Sequence, residues 1–546
     1  MSLTEELLSK DILIFMPILF IIIMAIFRIF KSTKIIIISW VIMLLAVALA
    51  YSLVSFLGIK LTPLVLLVPI FALGLLSDYI IHYIYHFLFS PITGNNLNTR
   101  RSLIFPLGLT ALSTLTGFFS LIYIGLSGHV LLGSIIGIAV IITFIGVFLW
   151  LPYLSFPKIS IEILPKFSYY QVKFFDFLYR SRKPLFLLLT ITVIWGITTL
   201  PNLRIEPYPI EQLPQDSTVK MAENILNSDF YGALPFFIEI DSGEVNGFLR
   251  KKTLLAVDKI TSHLNESKEI GFNYSLLSVL KQINSYFNGN ENSIFDYKDE
   301  FGFYQMLIEQ YLIYYSSSVD PLEYESLVDP SFRYFSIKGY VKYTSVDSLN
   351  SFYDTIEEIK KELPQDWSLS VHGVIDELKK DKKSLQKNWI FSFGIGNFLI
   401  FITVLIFYRK FRLALFSLIP GFISMIISFG IISLLGIKID SFSIIFVAII
   451  TGLVIDYSIH TLSAIDKIHE VASIKEGFTY INNYSGIPIF LSFLTSLFSF
   501  SVLFLSSFSG ARSLGILLSI SLLVSYILSF YLLPIIILPT KIKKEH

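Results

Sequence analysis

The sequence predicts a polytopic α-helical membrane protein with about eleven spanning helices. They form two parallel five-helix repeats and one linking helix, with a single α/β domain outside the bilayer. Three observations carry that expectation. Apolar residues make up 54 % of the 546 and charged residues only 15 %, at a mean hydropathy of +0.69, where soluble domains carry roughly 25 % charge. Apolar runs of about 18 to 25 residues, enough to cross a hydrocarbon core of ~30 Å, recur along the chain. A nine-residue pattern also appears twice, displaced by 378 positions.

The spans are expected at 12–30, 34–57, 61–88, 103–125, 129–151, 184–200, 389–408, 411–435, 441–463, 485–507 and 513–538. The first does not read as a secretory signal, because Glu5, Glu6 and Asp11 precede it and Arg28 and Lys31 follow it. The chain then divides into an outer N-terminal linker (1–11), a first five-helix repeat (12–157), a basic linker (158–183) and a linking helix (184–200). An outer α/β domain (201–388), a second five-helix repeat (389–539) and a short tail (540–546) complete it.

Orientation comes from the basic residues between spans. One set of short loops and the tail holds 19 of them: Arg28, Lys31, Lys34, Arg100, Arg101, Lys158, Lys166, Lys173, Arg180, Arg182, Lys183, Arg409, Lys410, Arg412, Lys467, Lys475, Lys541, Lys543 and Lys544. The alternate set holds Lys60, Lys438 and Arg512. The first set is expected in the cytoplasm, which puts the N-terminus and the domain 201–388 outside and the C-terminus inside.

The net charge of +1 hides a segregation. Between Asn202 and Asn388 there are 19 Lys/Arg and 29 Asp/Glu, a net of −10. No basic field points to nucleic acid, and the absence of cysteine removes disulfides, thiol catalysis and zinc–thiolate sites. In the outer domain, Leu234–Asp241 and 333–344 read as strands, and 248–266, 303–315 and 346–363 as helices. The proline-rich entry 201–214 reads as irregular. The basic and aromatic stretch 158–183 reads either as an amphipathic helix lying on the cytoplasmic leaflet or as a plain loop.

The repeat is the most informative feature. Leu57-Gly58-Ile59-Lys60 recurs as Leu435-Gly436-Ile437-Lys438. Gly74-Leu75-Leu76-Ser77-Asp78-Tyr79-Ile80-Ile81-His82 recurs as Gly452-Leu453-Val454-Ile455-Asp456-Tyr457-Ser458-Ile459-His460. Beyond one cytoplasmic loop the offset becomes 382, pairing Pro106 with Pro488, Ser127-Gly128 with Ser509-Gly510, Leu132-Gly133 with Leu514-Gly515, and Leu151-Pro152 and Pro157 with Leu533-Pro534 and Pro539. Six spans separate equivalents, an even number, so the two units point the same way about a pseudo-twofold axis along the membrane normal.

Twelve acids lie outside the outer domain, and only Asp78 and Asp456 fall deep within spans. An intramembrane charge costs at least ~2.5–3.5 kcal/mol, and low-polarity surroundings favour the neutral carboxyl, which can then exchange a proton near neutral pH. The alternative is a neutral Asp that bonds a neighbouring helix. Gly74, Asp78 and His82 stand at i, i+4 and i+8 on one helical face, as do Gly452, Asp456 and His460. Each glycine lets a facing helix approach. Each histidine either passes a proton onward or bonds a backbone carbonyl. Tyr79 and Tyr457 either reach the opposite aspartate or only pack. Ser113, Thr114, Thr495 and Ser496 are hydroxyls on the following spans. No nucleotide-binding loop, hydrolase triad or metal-ligand spacing stands out, so neither an enzyme nor a metal site is expected. His263 and His372 read as solvated.

With its Gly-Leu-x-x-Asp-Tyr-x-Ile-His motif in both halves, the chain resembles the resistance–nodulation–division (RND) superfamily, and most of all its MMPL-type lipid and hydrophobe exporters. The resemblance implies export of a lipid or other amphiphile across or out of a bacterial plasma (inner) membrane, driven by the proton gradient with no other cofactor. It assigns the proton relay to Asp78, Tyr79, Asp456 and Tyr457, with His82 and His460 as further members. The drug-efflux branch places paired acids on one helix and a lysine on the other, a lysine these spans lack. The resemblance also implies a helix and a first porter-like domain ahead of the first repeat, with 2–10 matching the linker into it. The missing helix and domain are therefore expected immediately upstream, as a partner chain or as a reading frame lost to a split gene or misplaced start, and a homo-oligomer is a further expectation. The rival reading is a non-transporting subunit that senses lipid or assists assembly.

Overall fold

Hydrocarbon offers the backbone no hydrogen-bond partners, so an apolar run of this length closes its N–H and C=O groups upon itself as a helix. The computed structural model describes residues 3–89, 96–153, 163–297, 302–468 and 470–541. Among them are eleven helices long and apolar enough to cross a membrane: Leu3–Phe30, Thr33–Phe56, Pro63–Leu88, Leu103–Ile124, Ser127–Trp150, Arg182–Asn202, Val374–Tyr408, Phe411–Leu434, Ile445–Asp466, Ile474–Leu505 and Ser509–Lys541. They are called the first to the eleventh span below. Pro157, Lys158, Lys543 and Lys544 lie outside the described residues.

Three spans start nine or more residues earlier than hydropathy marks. The first begins at Leu3 rather than 12, because the polar residues Glu5, Glu6, Lys10 and Asp11 expected in an N-terminal linker continue the same helix. The seventh begins at Val374 rather than 389, because a polar stretch continues the same helix, and hydropathy registers only the apolar part. The tenth begins with the amphipathic turns Ile474–Ile481 and a π-helical turn at Asn482–Gly486. The stretch Ile163–Arg180 is a helix and not a loop. It buries Gln171, Phe175 and Leu178, stacks Phe175 on Phe478 at 3.7 Å, and leaves Tyr169, Tyr170 and Phe177 exposed.

The chain divides into two compact units, one of residues up to Ile205 together with those from Leu385 onward, the other Glu206–Ser384. In the first, the packing of one repeat recurs in the other. The second span packs on the fifth as the eighth packs on the eleventh, and the third on the fifth as the ninth on the eleventh. Between repeats the exchange is reciprocal, third against tenth and fourth against ninth. The third and ninth spans are the most enclosed of the eleven, and the sixth, 6 % buried, is the least. The glycine of each Leu-Gly-Ile-Lys sequence closes its helix with φ of +70° at Gly58 and +67° at Gly436, a conformation that only glycine adopts freely.

The second unit carries an antiparallel sheet of β1 (Leu234–Asp241), β2 (Ile270–Ser275), β3 (Tyr334–Val341) and β4 (Ser368–His372), in the order β2-β3-β1-β4. Strict alternation drives β1: Leu234, Phe236, Ile238 and Ile240 are buried, and Phe237 and Glu239 face away. Helices Lys251–Glu266, Leu276–Asn288, Phe303–Ser316 and Val346–Glu362 contribute buried residues to the same core. Arg333 grips Asp241 with two hydrogen bonds of 2.7 and 2.8 Å, holding that carboxyl below the usual aspartate range.

Candidate functional site

Glycine decides how closely the repeats meet. A Cβ at Gly452 would stand 2.9 Å from the Thr114 Cα, and one at Gly117 only 2.5 Å from the Ala448 carbonyl oxygen, so the fourth and ninth spans touch backbone to backbone. On the other side of the pseudo-twofold, Ser499 occupies the position equivalent to Gly117. There a Cβ at Gly74 would meet the Ser499 Cβ at 3.0 Å.

That contact brings Asp456 to the hydroxyls of the opposite repeat. Ser113 donates to its Oδ1 at 2.7 Å and Thr114 to its Oδ2 at 3.3 Å. Tyr79 donates to the Thr114 hydroxyl at 3.5 Å, so it reaches Asp456 through Thr114 and not directly. Tyr457, also buried, makes no direct bond to Asp78; the hydroxyl beside it is that of Ser496, the counterpart of Thr114.

Asp78 is furnished differently. The hydroxyls that correspond to Ser113 and Thr114 are those of Thr495 and Ser496. Thr495 lies 2.8 Å from the Ser77 hydroxyl, and Ser496 donates to the Gly74 carbonyl at 3.2 Å. Asp78 meets imidazoles instead: His82 Nε2 stands 3.5 Å from Oδ1 and His460 Nε2 stands 4.0 Å from Oδ2. The two rings stack at 3.7 Å with planes 15° apart, and all three residues are buried. Two nominally equivalent acids thus have unlike partners.

Sequence spacing pairs each histidine with the aspartate one turn before it. His460 instead crosses to the other repeat's aspartate, which a spacing within one helix does not reveal. The signal was present in the repeat itself, because equivalent residues close to a pseudo-twofold axis approach each other. Two further acids, Asp11 and Asp440, are buried at span ends. Asp11 accepts from the Ser506 hydroxyl, and Asp440 Oδ1 accepts from the Ser443 N–H at 2.7 Å.

Asp78, His82 and His460 also offer two nitrogens and an oxygen that all lie within 4.8 Å of one another, a donor set suited to a transition-metal ion. Nitrogen lone pairs lie in the ring planes, and in a near-parallel stack they do not converge. One ring must turn before both can hold the same ion. Neither Nε2 is hydrogen-bonded to the carboxyl as the rings stand, so a proton too would pass only after a ring turns or a water bridges the gap.

Residues 335–544 match the family model described as the AcrB/AcrD/AcrF family. The matched stretch takes in β3, β4 and the second repeat with Asp456 and His460, and stops short of Asp78. No curated protein matches the chain. The chain is therefore a polytopic helical membrane protein whose residues 335–544 are similar to the AcrB/AcrD/AcrF family.

Proposed function

We propose that this protein is an RND-type exporter of the MMPL kind, moving a lipid or other amphiphile out of the plasma membrane at the expense of the proton gradient. The observation that carries the reading is the pair of buried carboxyls on the two most enclosed spans, each beside groups able to give or take a proton. Neither span 3 nor span 9 contains a lysine or arginine, so no fixed cation holds either acid permanently ionised. Binding and releasing protons changes the charge at the contact between the repeats. One proton crossing 100 mV supplies about 2.3 kcal/mol, enough to bias a two-state rocking of one repeat against the other. The similarity of residues 335–544 to the AcrB/AcrD/AcrF family supports transport as the class of function.

The test is complementation. Deleting the gene is expected to shift the lipid profile of the envelope, and the wild-type protein to restore it. Asp78→Asn and Asp456→Asn keep the side-chain shape and lose the titration. At matched abundance in the membrane, neither is expected to restore the profile. Restoration by either variant would show that its carboxyl serves packing alone, and would favour a lipid-sensing or assembly role.

A further inference from the structure

The two repeats differ most at one end of the third span. One turn beyond His82 stands His86, whose buried ring meets the Tyr484 ring edge-on at 4.6 Å. Tyr484 belongs to the π-helical turn Asn482–Gly486 of the tenth span, a rare geometry often found at functional sites. Its hydroxyl accepts a hydrogen bond from the exposed Lys467, whose ammonium also lies 4.2 Å from the ring centre. Beginning at Asp78, the stacked His82 and His460, then His86, Tyr484 and Lys467 form a line of proton-carrying groups. It runs from the middle of the bundle to its surface.

The other repeat does not reproduce that line. At the repeat offsets, the positions equivalent to His86, Lys467 and Tyr484 are Ala464, Phe89 and Ser102. Alanine and phenylalanine side chains have no exchangeable proton. Asp456, for its part, is enclosed by Ser113 and Thr114.

We infer that the two aspartates are not interchangeable: Asp78 alone exchanges protons with the cytoplasm, through His82 and His460, His86 and Tyr484, and the mouth of this path is at Lys467. This rests on the relay reading above and on the orientation that the basic loops favour. Imidazole suits such a path because it takes a proton on one nitrogen and releases another from the second. The carboxyl of Asp78 gives its proton to a facing Nε2 once a ring rotation or a water closes the gap of 3.5 or 4.0 Å. The turn of ~5.4 Å between His82 and His86 is closed by a ring flip or a bridging water. A water beside the packed His86 and Tyr484 rings takes the proton from His86 to the Tyr484 oxygen, which releases its own to solvent, so the line ends as it began. The titratable or charged groups around His86 are His82 and Tyr85 on its own helix, Tyr484 on the tenth span, and His460 and Lys467 on and just beyond the ninth.

Dicyclohexylcarbodiimide, which reacts with protonated carboxyls, reads the path without knowledge of the substrate. In inverted membrane vesicles holding the full chain, the pH of the cytoplasmic and lumenal faces can be set separately. The yield of modified Asp78 can then be read by peptide mass spectrometry. While the carboxyl is mostly ionised, each unit of falling pH raises its protonated fraction about tenfold. The wild type is expected to follow the cytoplasmic pH with that slope and to ignore the lumenal pH. His86→Ala installs the residue present at the equivalent position, and His86→Gln keeps a polar side chain there. Both are expected to lose the cytoplasmic slope while remaining folded, as judged by unchanged elution in size-exclusion chromatography. If Asp78 follows the lumenal pH, or both folded variants keep the full cytoplasmic slope, the path is overturned and the relay reading stands. If the modification of Asp78 responds to the pH of neither face, the carboxyl does not titrate, and both readings fall.

Discussion

At the scale of single residues, Thr114 is the hinge of the site. Its hydroxyl has one hydrogen to give to Asp456 and lone pairs left to receive the Tyr79 phenol, so it couples a tyrosine of one repeat to an aspartate of the other. Direct pairing of each tyrosine with the opposite acid, as the sequence suggested, would make the two phenols equivalent. The structure makes them unlike, since Ser496, the counterpart of Thr114 beside Tyr457, donates to the Gly74 carbonyl and not to Asp78. Tyr79→Phe and Thr114→Val are therefore expected to be non-additive, with a coupling on the order of 0.5–3 kcal/mol in the thermal or chemical unfolding of purified protein. Tyr457→Phe combined with Thr114→Val should be additive. Additivity in the first pair would mean that Tyr79 only packs.

At the scale of elements, helix contacts depend on where side chains are missing. Gly452 faces the backbone of Thr114, which cannot step aside as a side chain can. Gly452→Ala should cost about 1–3 kcal/mol, the usual range for overpacking, and should draw Thr114 away from Asp456, lowering export along with stability. Gly394 in the seventh span has open space where its Cβ would be, so Gly394→Ala should leave both unchanged. Equal losses from the two substitutions would show that helix flexibility, not close contact, is what glycine supplies. The expected close approach at Gly74 and Gly452 was legible because small residues recur in register with the acids. The elements that escaped the sequence reading are those with short or mixed patterns. The strands Ile270–Ser275 and Ser368–His372 are six and five residues long, and the second alternates only between partial burial and exposure. The helix Thr218–Ser228 leaves its apolar residues Val219, Met221, Ile225 and Leu226 exposed and buries Lys220 and Glu223, so its pattern does not report its burial. The histidine stack escaped for another reason: it is made between repeats, where periodicity along one helix carries no information and only the symmetry of the repeat does.

At the scale of the whole molecule, electrostatics bears on which way the bundle faces. Cytoplasmic loops retain lysine and arginine because moving such charges outward across the membrane is opposed during insertion. Nineteen basic residues in one set of short loops and the tail, against Lys60, Lys438 and Arg512 in the alternate loops and Lys10 near the N-terminus, favour an orientation in which Lys467 faces the cytoplasm and residues 206–384 are expected outside. Span parity ties these statements together. An even number of spans separates the loop at Lys60 from that at Lys438, and an odd number separates either from the loop at Arg412. The orientation is testable without background, because the sequence contains no cysteine. Single substitutions Lys60→Cys, Lys268→Cys and Lys438→Cys should react with a membrane-impermeant maleimide added to intact spheroplasts. Arg412→Cys and Lys475→Cys should react only after the membrane is opened. The reverse pattern would invert the protein and turn the His86 line toward the outside, making it an entry for protons driven by the gradient and not their exit. A mixed pattern would break span parity itself, and with it the parallel duplication on which the pairing of Asp78 with Asp456 depends.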